Sequence, residues 1–216
     1  LVLIADAAQS FGSEYKDNKV GVLADITCVS FFPAKPLGCY GDGGAIFTDN
    51  LNIQEKIKSL RAHGKGSSKY SIDYIGVNSR LDTIQAAILL TKLEQFDWEI
   101  EKRNIIARNY SKAFKNKIII PEIFKDYKSV WAQYTLRHNE RDKIQRVLKE
   151  KGIPTMVYYP IPMHQQKAYK KYYNNDIDLS NSDELSSQVF SLPMYPDLSA
   201  NDQEYIIMEL LSIINT

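Results

Sequence analysis

Leu1-Val2-Leu3-Ile4-Ala5-Asp6-Ala7-Ala8-Gln9 opens the chain: five apolar residues in a row, then a carboxylate. An unbroken apolar run of this kind reads as a strand buried on both faces, the habit of parallel sheets covered by helices. Two further runs share its character. Residues 26–32 are rich in Thr, Val and Phe, and residues 44–48 follow the turn Gly41-Asp42-Gly43-Gly44. The three together predict a buried sheet in an α/β domain.

Working outward, residues 52–63 carry Ile53, Ile57 and Leu60 at helical spacing. Gly64-Lys65-Gly66-Ser67-Ser68 has the composition of a mobile loop. A long helical pattern then covers residues 81–110, with Ile84, Ala87, Ile88 and Leu93 along it, and predicts a helix bridging two domains. Beyond it, residues 130–137 and 155–159 read as strands. Residues 142–151 read as a helix stopped by Gly152 and Pro154, 165–178 as a Lys/Tyr/Asn-rich loop, and 201–214 as a final helix. The expected domains are therefore residues 1–110 and 111–216. The first run has no cap or turn before it and does not begin with Met, so the expectation is a chain starting inside a strand, with no basic region of a secretory signal ahead of it.

Composition excludes more than it selects. The 216 residues hold 27 basic and 26 acidic side chains, a net charge of +1, which gives no general argument for nucleic acid or an anionic membrane as a partner. No apolar run approaches the roughly 20 residues of a membrane helix. Two cysteines, Cys28 and Cys39, fit a reducing compartment better than a disulfide scaffold. No Cys/His cluster suggests a metal.

Chemistry concentrates at two positions. Asp6 ends the first apolar run, at the strand edge where α/β sheets bind ligands. It could equally cap a helix beginning just after it. Lys35 lies just past the second run, in Ser30-Phe31-Phe32-Pro33-Ala34-Lys35-Pro36-Leu37-Gly38. An amine held between Pro-bounded turns and apolar neighbours suits a Schiff-base lysine, although most loop lysines are simply solvated. Taken together, on adjacent strand ends, the two match what pyridoxal phosphate requires: a lysine for its aldehyde and a carboxylate for its ring nitrogen.

Asp6-Ala7-Ala8-Gln9, the Lys35 segment and Gly41-Asp42-Gly43-Gly44-Ala45 resemble the signature run of the DegT/DnrJ/EryC1/StrS sugar aminotransferases. So do Gly76-Val77-Asn78-Ser79-Arg80-Leu81-Asp82 with Gln85-Ala86-Ala87, then Tyr159-Pro160-Ile161-Pro162-Met163-His164, then Ser191-Leu192-Pro193-Met194. The motifs occur in order over nearly the whole chain. The resemblance implies the C-terminal part of a fold-type I large domain (α/β/α, mostly parallel sheet) plus a small α/β domain. It implies that Lys35 bonds the cofactor, Asp6 keeps the ring nitrogen protonated, Gln9 lies by the ring hydroxyl and Ser30 holds the phosphate. Asn78 would reach the phosphate of a neighbouring subunit in a homodimer, and Arg80, Tyr158 and Tyr159 would approach the sugar nucleotide.

The implied reaction is transamination of a UDP-linked keto sugar in the cytoplasm, with glutamate as donor and a product destined for bacterial surface polysaccharide. Relatives on this fold that deoxygenate sugars carry histidine in place of the lysine, so Lys35 favours transamination. The residues around Asn78 and Tyr159 are most similar to enzymes that aminate C3 of a 2-acetamido-3-keto sugar acid. Tyr158 stands where that group often has His. A C4-directed enzyme and a regulatory protein without turnover remain open alternatives. Taken alone, Arg80 could merely pair on the surface with Asp82 or Glu94, and His63 could serve a helix C-terminus.

Overall fold

A computed structural model describes every residue except Lys69, Asn175 and Thr216. The chain divides into two compact units, Leu1–Glu101 with Ile123–Ala132, and Lys102–Glu122 with Gln133–Thr216.

The first unit is built on a three-stranded sheet ordered β1-β4-β5, from β1 (Ile4–Asp6), β4 (Ile26–Ser30) and β5 (Gly44–Phe47). β1 and β4 run parallel, with Ile4 beside Ile26 and Asp6 beside Cys28. β5 returns antiparallel, with Ser30 opposite Gly44. The loop between β4 and β5 contains no helix, so the chain has no crossover with which to come back parallel. A small second sheet joins β2 (Glu14–Tyr15), β3 (Asn18–Lys19) and β6 (Tyr127–Lys128). Its hairpin turns at Lys16 and Asp17, both at positive φ, the conformation a two-residue hairpin needs.

Within this chain burial along the apolar runs is uneven. β1 is an edge strand, and Leu3 and Ile4 are 59% and 61% exposed. β4 alternates: Thr27 and Val29 are buried, while Ile26, Cys28 and Ser30 are only partly covered. The sheet thus has one packed face and one more open face. The packed side shares a core with Ala7, Phe31, Leu37, Cys39, Leu89 and Phe96.

Among the described residues three α-helices belong wholly or partly to this unit. α1 (Leu51–Leu60) starts at Asn50, whose side chain accepts from the N–H groups of Asn52 and Ile53. α2 (Thr83–Leu93) and α3 (Phe96–Phe114) replace the single helix expected over 81–110. The apolar spacing Leu89, Leu93, Phe96, Ile100 runs on through the break, and neither Gly nor Pro marks it. The interruption is a local tightening in which the Gln95 N–H donates to the Lys92 carbonyl three residues back.

The second unit takes the rest of α3 from Lys102, a two-stranded antiparallel sheet of β7 (Tyr134–Arg137) and β8 (Val189–Leu192), and helices α4 (Arg141–Glu150), α5 (Ser180–Gln188) and α6 (Ala200–Ile214). Its core holds Tyr110, Phe114, Tyr134, Leu136, Ile144, Leu148, Phe190 and Leu210. The strand expected over 130–137 begins only at Tyr134, because Trp131 sits at φ 51°, outside any strand geometry. Residues 155–159 form no strand. Met156 makes one isolated bridge to Ser191, and the Tyr158–Tyr159 peptide is cis. No described helix is long and apolar enough to cross a membrane.

Candidate active site

The parallel register of β1 and β4 decides where the first acid and the first hydroxyl stand. Asp6 is level with Cys28, and Ser30 lies two residues further along β4, so both side chains leave the same, more open face near the carboxyl edge. That edge of adjacent parallel strands is where α/β sheets receive ligands. Asp6 is exposed, and its Oδ1 accepts the Ala8 N–H at 3.0 Å. The capping role is therefore real, but it serves a turn rather than a helix and occupies one oxygen. Gln9 lies in that turn, also exposed. The Ser30 hydroxyl accepts from the Phe32 N–H at 3.3 Å.

Lys35 is carried by a folded loop. The Lys35 N–H donates to the Phe32 carbonyl at 2.9 Å, and Pro36, Leu37, Gly38 and Cys39 behind it are all buried. The returning limb is pinned where the Cys39 N–H donates to the Phe31 carbonyl, 2.8 Å. Gly38 is required sterically: a Cβ there would lie 2.5 Å from the Pro33 carbonyl oxygen and 2.8 Å from that of Phe32. Two side chains of α2 also reach the loop. Gln85 Oε1 accepts the Tyr40 N–H at 2.8 Å, and Lys92 Nζ donates to the Gly38 carbonyl at 2.6 Å. The sequence displays Gln85 in a motif but attaches no role to either residue.

Asn78 is placed by a different device. Beyond the end of α1 stand two left-handed residues, His63 at φ 67° and Gly64 at φ 74°. The chain then makes an excursion and returns: the His63 N–H donates to Val77, Val77 to Leu60, and Ser79 to Arg61, with Ala62 bridged to Asn78. The Gly/Ser-rich stretch expected as a mobile loop is thus closed by Lys65 bridged to Ile72 and by the Gly66 N–H on Ser71. Asn78 and Arg80 are exposed just after this closure. Tyr158 and Tyr159 belong to the second unit and are 44% and 68% exposed. In that unit His164 Nε2 lies 2.8 Å from Asp183 Oδ1.

The family model described as the DegT/DnrJ/EryC1/StrS aminotransferase family matches residues 1–211. The chain belongs to that family. It is 47% identical over 197 residues to the UDP-2-acetamido-2-deoxy-3-oxo-D-glucuronate aminotransferase of Pseudomonas aeruginosa, covering 91% of this chain and 54% of the relative. It is 39% identical over 214 residues to a protein of Geobacillus stearothermophilus named a pleiotropic regulatory protein, covering 97% and 57%. The fold superposes on a DegT DnrJ EryC1 StrS aminotransferase from Brucella abortus with a TM-score of 0.97 at 44% identity, covering 100% of this chain and 58% of that one. NtdA of Bacillus subtilis, solved with bound cofactor PMP, gives 0.89 at 32%, covering 100% and 51%. The chain therefore spans about half the length of the curated relatives it matches.

Proposed function

We propose that this family member contributes the lysine and the ring acid of a pyridoxal-phosphate site that aminates a UDP-linked keto sugar, with glutamate as donor. The observation that carries the proposal is the register: Asp6 and Ser30 leave one face of two adjacent parallel strands, and Lys35 stands on the loop directly beyond. The donor set fits the group. Asp6 Oδ2 is the carboxylate oxygen left by the turn, suited to a cationic ring nitrogen, and Ser30 Oγ suits a phosphate.

Bound pyridoxal phosphate supplies an aldehyde that exchanges amines and a ring that takes up the electrons of a Cα–H bond. Lys35 Nζ would hold the aldehyde and, once freed by the donor amine, would carry the proton from the donor's Cα to C4′ of the cofactor. Asp6 Oδ2 would face the ring nitrogen and hold its proton, which would maintain the electron sink. Gln9 borders the ring, and Arg80 binds the sugar nucleotide. Glutamate leaves as its 2-keto acid, and the sugar ketone leaves as an amine. Similarity to the Pseudomonas enzyme favours C3 of a 2-acetamido-3-keto sugar acid, whose extra carboxylate gives Arg80 a partner.

Homodimerisation belongs to the same reading. Ile72, Ile75 and Val77 are 61%, 100% and 61% exposed immediately before Asn78, an apolar segment that an approaching subunit would cover while Asn78 met its phosphate.

The full chain assayed with glutamate and UDP-linked 3-keto and 4-keto sugars tests this directly. Faster turnover of the 3-keto acid is expected, and faster turnover of the 4-keto sugar would overturn the assignment to C3. Lys35→Ala should lower turnover by about 10²–10⁴-fold. The name of the Geobacillus relative favours a second reading, regulation without turnover. Under that reading Lys35→Ala would leave the physiological output unchanged.

A further inference from the structure

We infer that Gln85 and Lys92 are positioning residues that clamp the loop bearing Lys35; this rests on Lys35 being the cofactor lysine. Gln85, Leu89 and Lys92 fall at i, i+4 and i+7 of α2 and so share one helix face. Leu89 is buried in the same core as Leu37 and Cys39. The polar residues on either side of it grip the loop backbone. Lys92 Nζ donates to the Gly38 carbonyl, a charge-assisted bond of 2.6 Å, and its ammonium stands 6.0 Å from the Tyr40 ring centroid. Gln85 Oε1 accepts the Tyr40 N–H at 2.8 Å. These two backbone groups flank Cys39, whose own N–H and thiol are held by the Phe31 carbonyl on the β4 side.

The returning limb of the loop is therefore fastened from two directions, to the end of β4 and to α2. At the other limb the Lys35 N–H is tied to Phe32. Lys35 is left at the tip of a frame whose ends are fixed. A reacting amine must be held to within about 0.5 Å to work, and a misplacement near 1 Å can cost about 100-fold. A lysine in a last helical turn would ordinarily serve the helix's own C-terminal carbonyls. Lys92 instead donates across the fold to Gly38, which marks its task as holding the loop.

Two measurements on the full chain separate this inference from the assignment of Lys35 itself. In cofactor-free protein, hydrogen exchange at the Tyr40 amide should accelerate roughly fivefold or more in Gln85→Leu, the loss of one ordinary hydrogen bond. It should stay near wild type in Gln85→Glu, which retains an acceptor oxygen. With pyridoxal phosphate added, the rate at which Lys35 becomes fixable by borohydride should fall about tenfold in Lys92→Met and recover in Lys92→Arg. Far-UV circular dichroism confirms that each variant is folded. Unchanged Tyr40 exchange in Gln85→Leu, or an unchanged fixation rate in Lys92→Met, overturns the clamp while Lys35 remains the labelled residue. Wild-type protein labelled at another lysine overturns the underlying reading instead.

Discussion

Gly38→Ala is the substitution that bears hardest on the Lys35 loop. The added methyl would come 2.5 Å from the Pro33 carbonyl oxygen and 2.8 Å from both the Phe32 oxygen and the Pro33 carbonyl carbon, against an ordinary contact of 3.4–4 Å. All three neighbours are backbone atoms, so no side-chain rotation relieves the clash. Segment 32–33 and residue 38 must separate by several tenths of an ångström. The same Phe32 oxygen accepts the Lys35 N–H, and the neighbouring Phe31 oxygen accepts the Cys39 N–H, so separation strains both ties. Overpacking of this kind costs about 1–3 kcal/mol, and rigid surroundings place this site at the upper end.

Gly21→Ala is the matched control, since nothing lies within 4 Å of a Cβ there. It should change stability by under about 0.5 kcal/mol. Urea denaturation of both variants, together with absorbance-monitored binding of pyridoxal phosphate, gives the comparison. Gly38→Ala as stable as Gly21→Ala, with undiminished cofactor binding, would refute the steric argument and the claim that this loop positions Lys35.

Two further perturbations probe the second unit. Leu148 is fully buried, so Leu148→Ala should lower unfolding free energy by about 2–5 kcal/mol in chemical denaturation. A loss well below that would mean the site collapses around the cavity or that the α4 face is mispacked. Burial raises the Tyr110 hydroxyl well above its usual 10.0, with Tyr195 and Tyr134 adding to the effect, and Tyr134 is raised mainly by burial too. The folded state then keeps these protons when the unfolded chain releases them. Stability is full below pH 10 and falls as pH rises past it. Urea midpoints should drop above about pH 10, less steeply in Tyr110→Phe, and an identical slope in that variant would contradict the assignment.

The fold class and the candidate site residues could be named from the sequence, whereas several element boundaries could not. Asp6 and Lys35 were candidates because they lie at or just past the ends of apolar runs, and the parallel pairing of those runs is what brings Asp6 and Ser30 to one face. Periodicity misled where it was continuous: Leu89, Leu93, Phe96 and Ile100 keep helical spacing across the break between α2 and α3. Left-handed residues were invisible. Lys16 and Asp17 make a hairpin without the usual Asn-Gly, and Trp131 stops a strand that its neighbours' composition favours. α5 went unforeseen because Ser180-Asn181-Ser182-Asp183 reads as loop, with only Leu185 apolar among its next residues. Gln85 and Lys92 act through bonds to backbone atoms 45 and 54 residues away, and nothing local in the sequence reports such a contact.

The central claim is that one amine, on the loop after β4, condenses with the cofactor. Borohydride reduction of the full chain with pyridoxal phosphate, and then peptide mapping, addresses it directly. The account predicts one stable adduct, on the peptide containing Lys35, absent after Lys35→Ala. An adduct on a different lysine, or none, would contradict it.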